Sequence, residues 1–149
     1  MSDLSILQTK FNNTDIINDG KIVVYSELIQ VLDYLKNTPE FDFDMLTSII
    51  AVDLIDEMEL IYQLMSTETS KTLSVSYRTD NYTAPTSTNI YKSANFDECE
   101  IFDLFGVEFI GNNKLKRLFM PENWKGHPLL KSYRQNDERL VWNDWYSKN

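Results

Sequence analysis

Apolar and polar residues switch along this chain between a period of two and a period of three to four, and the switches divide it into elements. In residues 72–78, TLSVSYR, Leu73, Val75 and Tyr77 face one side while Thr72, Ser74, Ser76 and Arg78 face the other, as in a half-buried antiparallel strand. Residues 21–25, KIVVY, are β-branched and aromatic and predict a strand. Ser26 then suits a helix N-cap, and Leu28, Val31, Leu32 and Leu35 recur at helical spacing until Asn37-Thr38-Pro39 ends the run. Between Phe43 and Ser66 the chain is too rich in β-branched residues, and too interrupted by Asp56-Glu57, for one helix. A hairpin with strands at about 47–54 and 58–66 fits it better. Residues 1–20 are polar, close on an Asp19-Gly20 turn, and have apolar spacing for at most one short helix.

Residues 82–88, YTAPTST, predict a loop whose Thr and Ser residues cap a helix over about 89–105, with Gly106 as the residue just past its end. At about 100° per residue, Ile90, Tyr91, Ala94, Ile101, Phe102 and Phe105 gather on one face and Asp97, Glu100 and Asp103 on another. Glu98 falls inside the apolar stripe, and Cys99 is expected roughly opposite it. A short strand at 107–110, a Gly111-Asn112-Asn113 turn and irregular, Pro- and Trp-containing chain complete the order. Strand, helix, meander and helix in succession predict an α+β fold: a small mixed, largely antiparallel sheet with helices packed on one face, followed by an extended C-terminal tail. At 149 residues the chain is expected to form one domain over 1–149, with a globular core at about 20–120 and a docking tail at about 121–149.

Composition narrows the function classes. With 42% apolar and 25% charged residues the chain is globular in type, and its net charge of −9 argues against nucleic acid as a partner. The charge is unevenly spread: residues 1–110 hold 6 basic and 19 acidic side chains, residues 111–149 hold 8 basic and 4 acidic. A basic tail of this kind lies either on its own acidic body or on another protein. One Cys and one His exclude an iron–sulfur or four-ligand zinc site built by this chain alone, so no metal chemistry is expected of it unaided. An unpaired Cys99 reads as intracellular, and the start MSDLSILQTKFNN is expected to be neither a signal nor a transit peptide. Its longest uncharged windows, such as 45–52 and 82–91, are far short of the roughly 18–20 residues that span a bilayer.

Few residues offer chemistry. Glu98, a carboxylate on an apolar helix face, needs a partner, and Arg117, Lys131 or a neighbouring subunit are the cations considered, with a raised-pKa general acid as the other reading. Cys99 and His127 form the one conceivable thiolate–imidazole pair, but acidic Asp97, Glu98 and Glu100 would raise the thiol pKa, and His127 sits in a Gly126-His127-Pro128 loop suited to a conformational role. Asp53, Asp56, Glu57 and Glu59 surround the hairpin tip; without the spacing of a calcium loop they read as a solvated acidic turn. Trp124, Trp142 and Trp145 all fall in the last 26 residues, as expected of an interface.

Residues 94–133, ANFDECEIFDLFGVEFIGNNKLKRLFMPENWKGHPLLKSY, resemble the signature of the 30-kDa (C-type) subunit family of respiratory complex I, the NADH:quinone oxidoreductase. That signature runs A-x-W-x-E-R-E, a D-hydrophobic-F/Y-G-I turn, G-H-P-x-L-R-R and W-x-G-H-P-L-R-K-D-Y. Glu98 and Glu100 match its two glutamates; Asp103, Phe105 and Gly106 match the turn. Arg117 matches a family Arg, and Trp124, Gly126, His127, Pro128, Leu129, Lys131 and Tyr133 match the last block. Cys99, Leu130 and Lys116 stand where the family has Arg, Phe96 where it has Trp, Asn112 and Asn113 where it has His-Pro, and Ser132 where it has Asp. The resemblance implies a cofactor-free, non-catalytic subunit of the hydrophilic arm, peripheral on the cytoplasmic side of a bacterial inner membrane. Its partners would be the 49-kDa-like (D-type) and the cluster-bearing (B-type) subunits, with FMN, iron–sulfur clusters and quinone held by other chains. On the same resemblance, Glu98, Glu100, Asp103, Gly106, Arg117, Trp124, Gly126, His127, Pro128, Lys131 and Tyr133 are interface residues, and none is catalytic or cofactor-binding. A homologous subunit of a membrane-bound nickel–iron hydrogenase or formate hydrogenlyase carries similar motifs and stays open as the alternative. A free-standing enzyme using Cys99 and His127 is the reading from a different class.

Overall fold

The computed structural model describes residues 4–18 and 20–134. In chain order these form α1 (Ser5–Lys10), β1 (Thr14–Asn18), β2 (Lys21–Val24), α2 (Leu28–Asn37), β3 (Met45–Asp53), β4 (Met58–Met65), β5 (Thr72–Thr79), β6 (Thr83–Pro85), α3 (Ala94–Phe105) and β7 (Glu108–Ile110). Five strands make one sheet in the order β1-β2-β5-β4-β3. Its β2–β5 pair is parallel and the others antiparallel, so the expected mixed, largely antiparallel α+β architecture is present. A second, two-stranded parallel ladder joins β6 to β7.

The register explains the core. Leu60, Tyr62 and Leu64 of β4 stand opposite Tyr77, Val75 and Leu73 of β5, and Ile49 of β3 stands opposite Tyr62, so one sheet face is lined with large apolar side chains. Leu28, Val31, Leu32 and Leu35 of α2 are fully buried in the same cluster, as their spacing predicts. On the opposite sheet face Glu59 of β4 accepts a hydrogen bond from the Ser76 hydroxyl and lies 3.7 Å from the Lys21 ammonium.

The long edge strand β3 is shielded by α3. Asp97 on the first turn of α3 accepts the Ile49 N–H at 2.7 Å, and Ser93 donates to the Leu46 carbonyl at 3.3 Å. Side chains thus take up edge groups that would otherwise template another strand.

Several local expectations differ from the structure. Residues 14–18, TDIIN, form β1, which was not anticipated because two adjacent apolar residues carry neither period; pairing with β2 makes the strand. Ser26 is not the N-cap of α2: Glu27, in the left-handed region, holds that position, while the Ser26 hydroxyl accepts from the Asn13 amide at 2.9 Å. β6 forms within the expected 82–88 loop, and α3 starts at Ala94 rather than about residue 89, because Thr86 and Ser87 are engaged elsewhere. Cys99 and Asp103, expected away from the apolar face, are both buried. A helical wheel assumes that one side meets solvent, whereas irregular chain after β7 covers the far side of α3. Asp53 and Glu59 are likewise buried rather than solvated. Among the described residues, no helix or strand follows β7, and no helix is long and apolar enough to cross a membrane. Trp142 and Trp145 lie outside the described residues.

Replacing Asp97 with Ala leaves the Ile49 N–H without its acceptor and is expected to lower stability by about 1–2 kcal/mol in urea unfolding, whereas Asp97→Asn, which keeps a carbonyl oxygen there, should stay within about 0.5 kcal/mol of the unchanged chain.

Candidate interface site

Two buried carboxylates on α3 organise the described chain around it, and they point different ways. Five residues apart, Glu98 and Asp103 are rotated by about 140° around the helix, so one faces the β6–β7 ladder and the other the irregular chain.

Glu98 is fully buried. The sequence suggested a cation beside it, yet neither Arg117 nor Lys131 is its partner. Instead it accepts from Thr86 Oγ1 at 2.7 Å, Ser87 N at 2.8 Å, Ser87 Oγ at 2.9 Å and Asn112 Nδ2 at 2.8 Å. Four uncharged donors occupy both oxygens, which is how a carboxylate away from water is tolerated without an opposite charge. Asn112, one of the departures from the family pattern, retains a side-chain donor. The TST run at 86–88 was the available signal: hydroxyls clustered before a helix can serve an inward carboxylate as well as a helix end.

Asp103 is the hub of the tail. Its Oδ2 accepts three successive backbone N–H groups, from Leu118, Phe119 and Met120, at 2.9, 2.7 and 2.9 Å. Its Oδ1 takes the Arg117 guanidinium at 2.8 Å, and its carbonyl lies 3.2 Å from the same nitrogen. The other arm of Arg117 donates to the carbonyls of Trp124 and Gly126, both at 3.1 Å. Burial pushes the Asp103 carboxyl upward, but the N–H of Met120, Arg117 and the N–H groups of Phe119 and Leu118 outweigh it and hold the group below its ordinary value of 3.8.

The next residues lock onto the end of α3. His127 Nδ1 is 3.0 Å from the Asp103 carbonyl, an acceptor only, so this nitrogen carries the proton. The imidazole ring lies so close to Gly106 that a Cβ there would fall 2.6 Å from His127 Cδ2. Gly106 also has φ 77°, ending the helix as its position predicted, so both space and dihedral call for glycine. Gly126 similarly admits the Tyr133 ring, 3.0 Å from where a Cβ would stand. Leu129 N–H donates to the Leu104 carbonyl at 3.0 Å and Lys131 N–H to Asp53 Oδ2 at 2.7 Å, fastening the tail to the β3–β4 hairpin. Pro128 is half-buried between these anchors.

The structure therefore gathers Asp103, Gly106, Arg117, Trp124, Gly126, His127, Lys131 and Tyr133 into one continuous assembly, with Glu98 on the opposite side of the same helix and Glu100 half-buried between. Asp53 was missed as a member, since its role rests on a main-chain N–H 78 residues away. Cys99 and His127 are not joined: the thiol donates to the Lys114 carbonyl at 3.4 Å while His127 serves Asp103. Among the described residues, no group of three or more His, Cys, Asp or Glu side chains is arranged to hold a metal ion. What this arrangement can do is hold an irregular, basic segment in one shape.

The site is thus an α+β body carrying a clamped, basic C-terminal segment. The family described as respiratory-chain NADH dehydrogenase, 30 Kd subunit, matches residues 22–139. The C-type subunit of NADH-quinone oxidoreductase from Roseiflexus sp. (strain RS-1) is 36% identical over 130 residues, covering 82% of this chain and 75% of that one. A C/D-type subunit of the same oxidoreductase from Chromohalobacter salexigens is 36% identical over 118 residues, 71% of this chain but 20% of that longer one. A chain in the structure of an archaeal membrane-bound sulfane sulfur reductase, a respiratory membrane complex, shares the fold with a TM-score of 0.71 at 24% identity, covering 98% of this chain and 89% of that one. The chain belongs to the 30-kDa subunit family of respiratory-chain NADH dehydrogenase.

Two outcomes are expected. Glu98→Gln puts an amide N–H₂ among four donors and should cost about 2–3 kcal/mol in chemical unfolding, against less than about 0.5 kcal/mol for Glu100→Gln; equal effects would contradict the burial argument. The Asp103 pKa is depressed on folding, so its stabilisation is complete above 3.8 and is lost as pH falls through the lower folded value. The urea midpoint should therefore drop more steeply below about pH 4 for the unchanged chain than for Asp103→Asn, and parallel pH profiles would contradict it.

Proposed function

We propose that this chain is a cofactor-free structural subunit of the hydrophilic arm of a proton-translocating NADH:quinone oxidoreductase, fixing neighbouring subunits in position while other chains carry the electrons. The observation that carries this reading is the tail assembly: a segment of net positive charge held rigidly by Asp103, on a body of opposite net charge, in a chain of the 30-kDa family. Electron transfer and quinone reduction depend on the placement of their partners, and rigid support supplies that placement. The 49-kDa-like, D-type neighbour is the principal partner. Relatives that carry C and D in a single polypeptide support that pairing, because the two parts are then never far apart. The cluster-bearing, B-type neighbour is the second partner, and the complex sits on the cytoplasmic face of a bacterial inner membrane. In this reading Glu98, Glu100, Asp103, Gly106, Arg117, Trp124, Gly126, His127, Pro128, Lys131 and Tyr133 serve by shaping the contact surface rather than by reacting.

Affinity capture of the tagged chain from its native membranes in mild detergent, with mass spectrometry and NADH:quinone assays on the eluate, tests this directly. Co-purification of D- and B-type subunits with quinone-reducing activity is expected. Recovery of a nickel–iron large subunit would transfer the chain to the hydrogenase branch, and recovery of the chain alone would overturn the scaffold reading.

A further inference from the structure

Between residues 111 and 134 the chain carries six basic side chains, Lys114, Lys116, Arg117, Lys125, Lys131 and Arg134, against one acidic side chain, Glu122. The body does hold this segment, but largely through main-chain groups: the Asp103 carboxylate takes the N–H groups of residues 118–120, and Asp53 takes the Lys131 N–H at 2.7 Å. Among the described residues the ion pairs are Lys21–Glu59, Arg78–Glu57 and Arg117–Asp103, so of the segment's cations Arg117 alone meets a body carboxylate. The side chains of Lys114, Lys116, Lys125 and Lys131, all on exposed residues, are left unneutralised. A basic segment laid down on its own acidic body would have used them.

The clamp groups these charges with two displayed apolar residues. Arg117 donates to the carbonyls of Trp124 and Gly126, both at 3.1 Å, which sets Lys125, between them, beside the stretch that carries Lys116. Phe119 and Leu129 are 58% and 52% exposed, yet their N–H groups are pinned to neighbouring residues on the last turn of α3, Phe119 to the Asp103 carboxylate at 2.7 Å and Leu129 to the Leu104 carbonyl at 3.0 Å. An aromatic and an aliphatic side chain offered to solvent among lysines, on backbone fixed in one shape, have the make-up of a contact patch, which joins apolar contacts to a charged rim.

We infer that segment 111–134 docks a carboxylate-rich protein surface, with Phe119 and Leu129 making the apolar contact and Lys116 and Lys125 the charged one; this rests on the scaffold reading above, in which that surface belongs to the D-type subunit. Charge selects the occupant: ammonium groups without a countercharge in their own chain are complementary to carboxylates and penalise a basic partner. An anionic membrane or a nucleic acid would accept a loose basic segment and would meet a chain of net charge −9, whereas this segment is held to one shape, as a shaped protein partner requires.

Charge reversal in the native host tests this. The tagged full chain carrying Lys116→Glu and Lys125→Glu should melt within about 2 °C of the unchanged chain, because neither side chain has a partner to lose, yet capture at least about tenfold less D-type subunit from membranes in mild detergent. Phe119→Ser should lower capture by at least about threefold. Reversal of two exposed lysines on the body, Lys71→Glu with Lys92→Glu, should leave capture unchanged. If the reversed pair melts lower, Lys116→Gln with Lys125→Gln, which removes charge without adding repulsion, is held to the same criterion. Undiminished capture overturns the docking surface while the scaffold reading stands, as does an equal loss in the body control. Sedimentation of the purified unchanged chain with phosphatidylglycerol vesicles, abolished by the Lys116 and Lys125 reversals, overturns it in favour of a lipid surface. If the unchanged chain captures no D-type subunit, the scaffold reading fails together with the docking surface.

Discussion

A stretch of more than twenty residues without helix or strand cannot lie against a protein surface unless its backbone N–H and C=O groups find partners, and in this chain that requirement falls largely on the carboxylate of Asp103. Three consecutive amides, Leu118 to Met120, converge on one oxygen, and Arg117 bridges the other oxygen to the carbonyls of Trp124 and Gly126. Because Asp103 sits on the last turns of α3, the tail inherits the position of the helix, and the helix is fixed on the sheet edge through Asp97. Sheet, helix and irregular segment form one mechanical series in which each link is a carboxylate accepting main-chain N–H groups.

Asp53 closes that series. Its contact to Lys131 returns the tail to the hairpin, so the segment is held at both ends, by Asp103 near residue 118 and by Asp53 at residue 131. Gly106 and Gly126 permit the close approaches between, to His127 and Tyr133. Glu98 acts on the other side of α3, where it joins the 86–87 turn and Asn112 across the two-stranded ladder and so fixes the start of the segment that Asp103 then directs. A protein built this way has its buried charges spent on shape, which suits a subunit whose proposed work is to hold others in place.

The sequence was most informative where burial is periodic. The α2 stripe, the strict alternation of β5 and the hairpin around Asp56-Glu57 were all legible, because each follows from one face meeting the core. Gly106 and the inward Glu98 were legible for the same reason, as exceptions to a pattern. Asp103 was readable only by resemblance: its burial depends on chain that carries no period and arrives from fifteen residues away. The partners of Glu98 were missed because a search for a countercharge overlooks hydroxyls and amides, although four of these can satisfy a carboxylate as fully as one arginine. β1 and β6 are short strands that exist through their neighbours, so neither leaves a signature of its own.

The central claim is that the Asp103 carboxylate gives the tail its shape, and amide hydrogen exchange at Leu118, Phe119 and Met120 measures it most directly. At neutral pH these three amides should be protected in the unchanged chain and should exchange at least tenfold faster in Asp103→Asn, while amides in the centre of β4 keep their rates. Equal exchange at the three amides in both proteins would mean that the segment is held by something other than this carboxylate, and the account would be wrong.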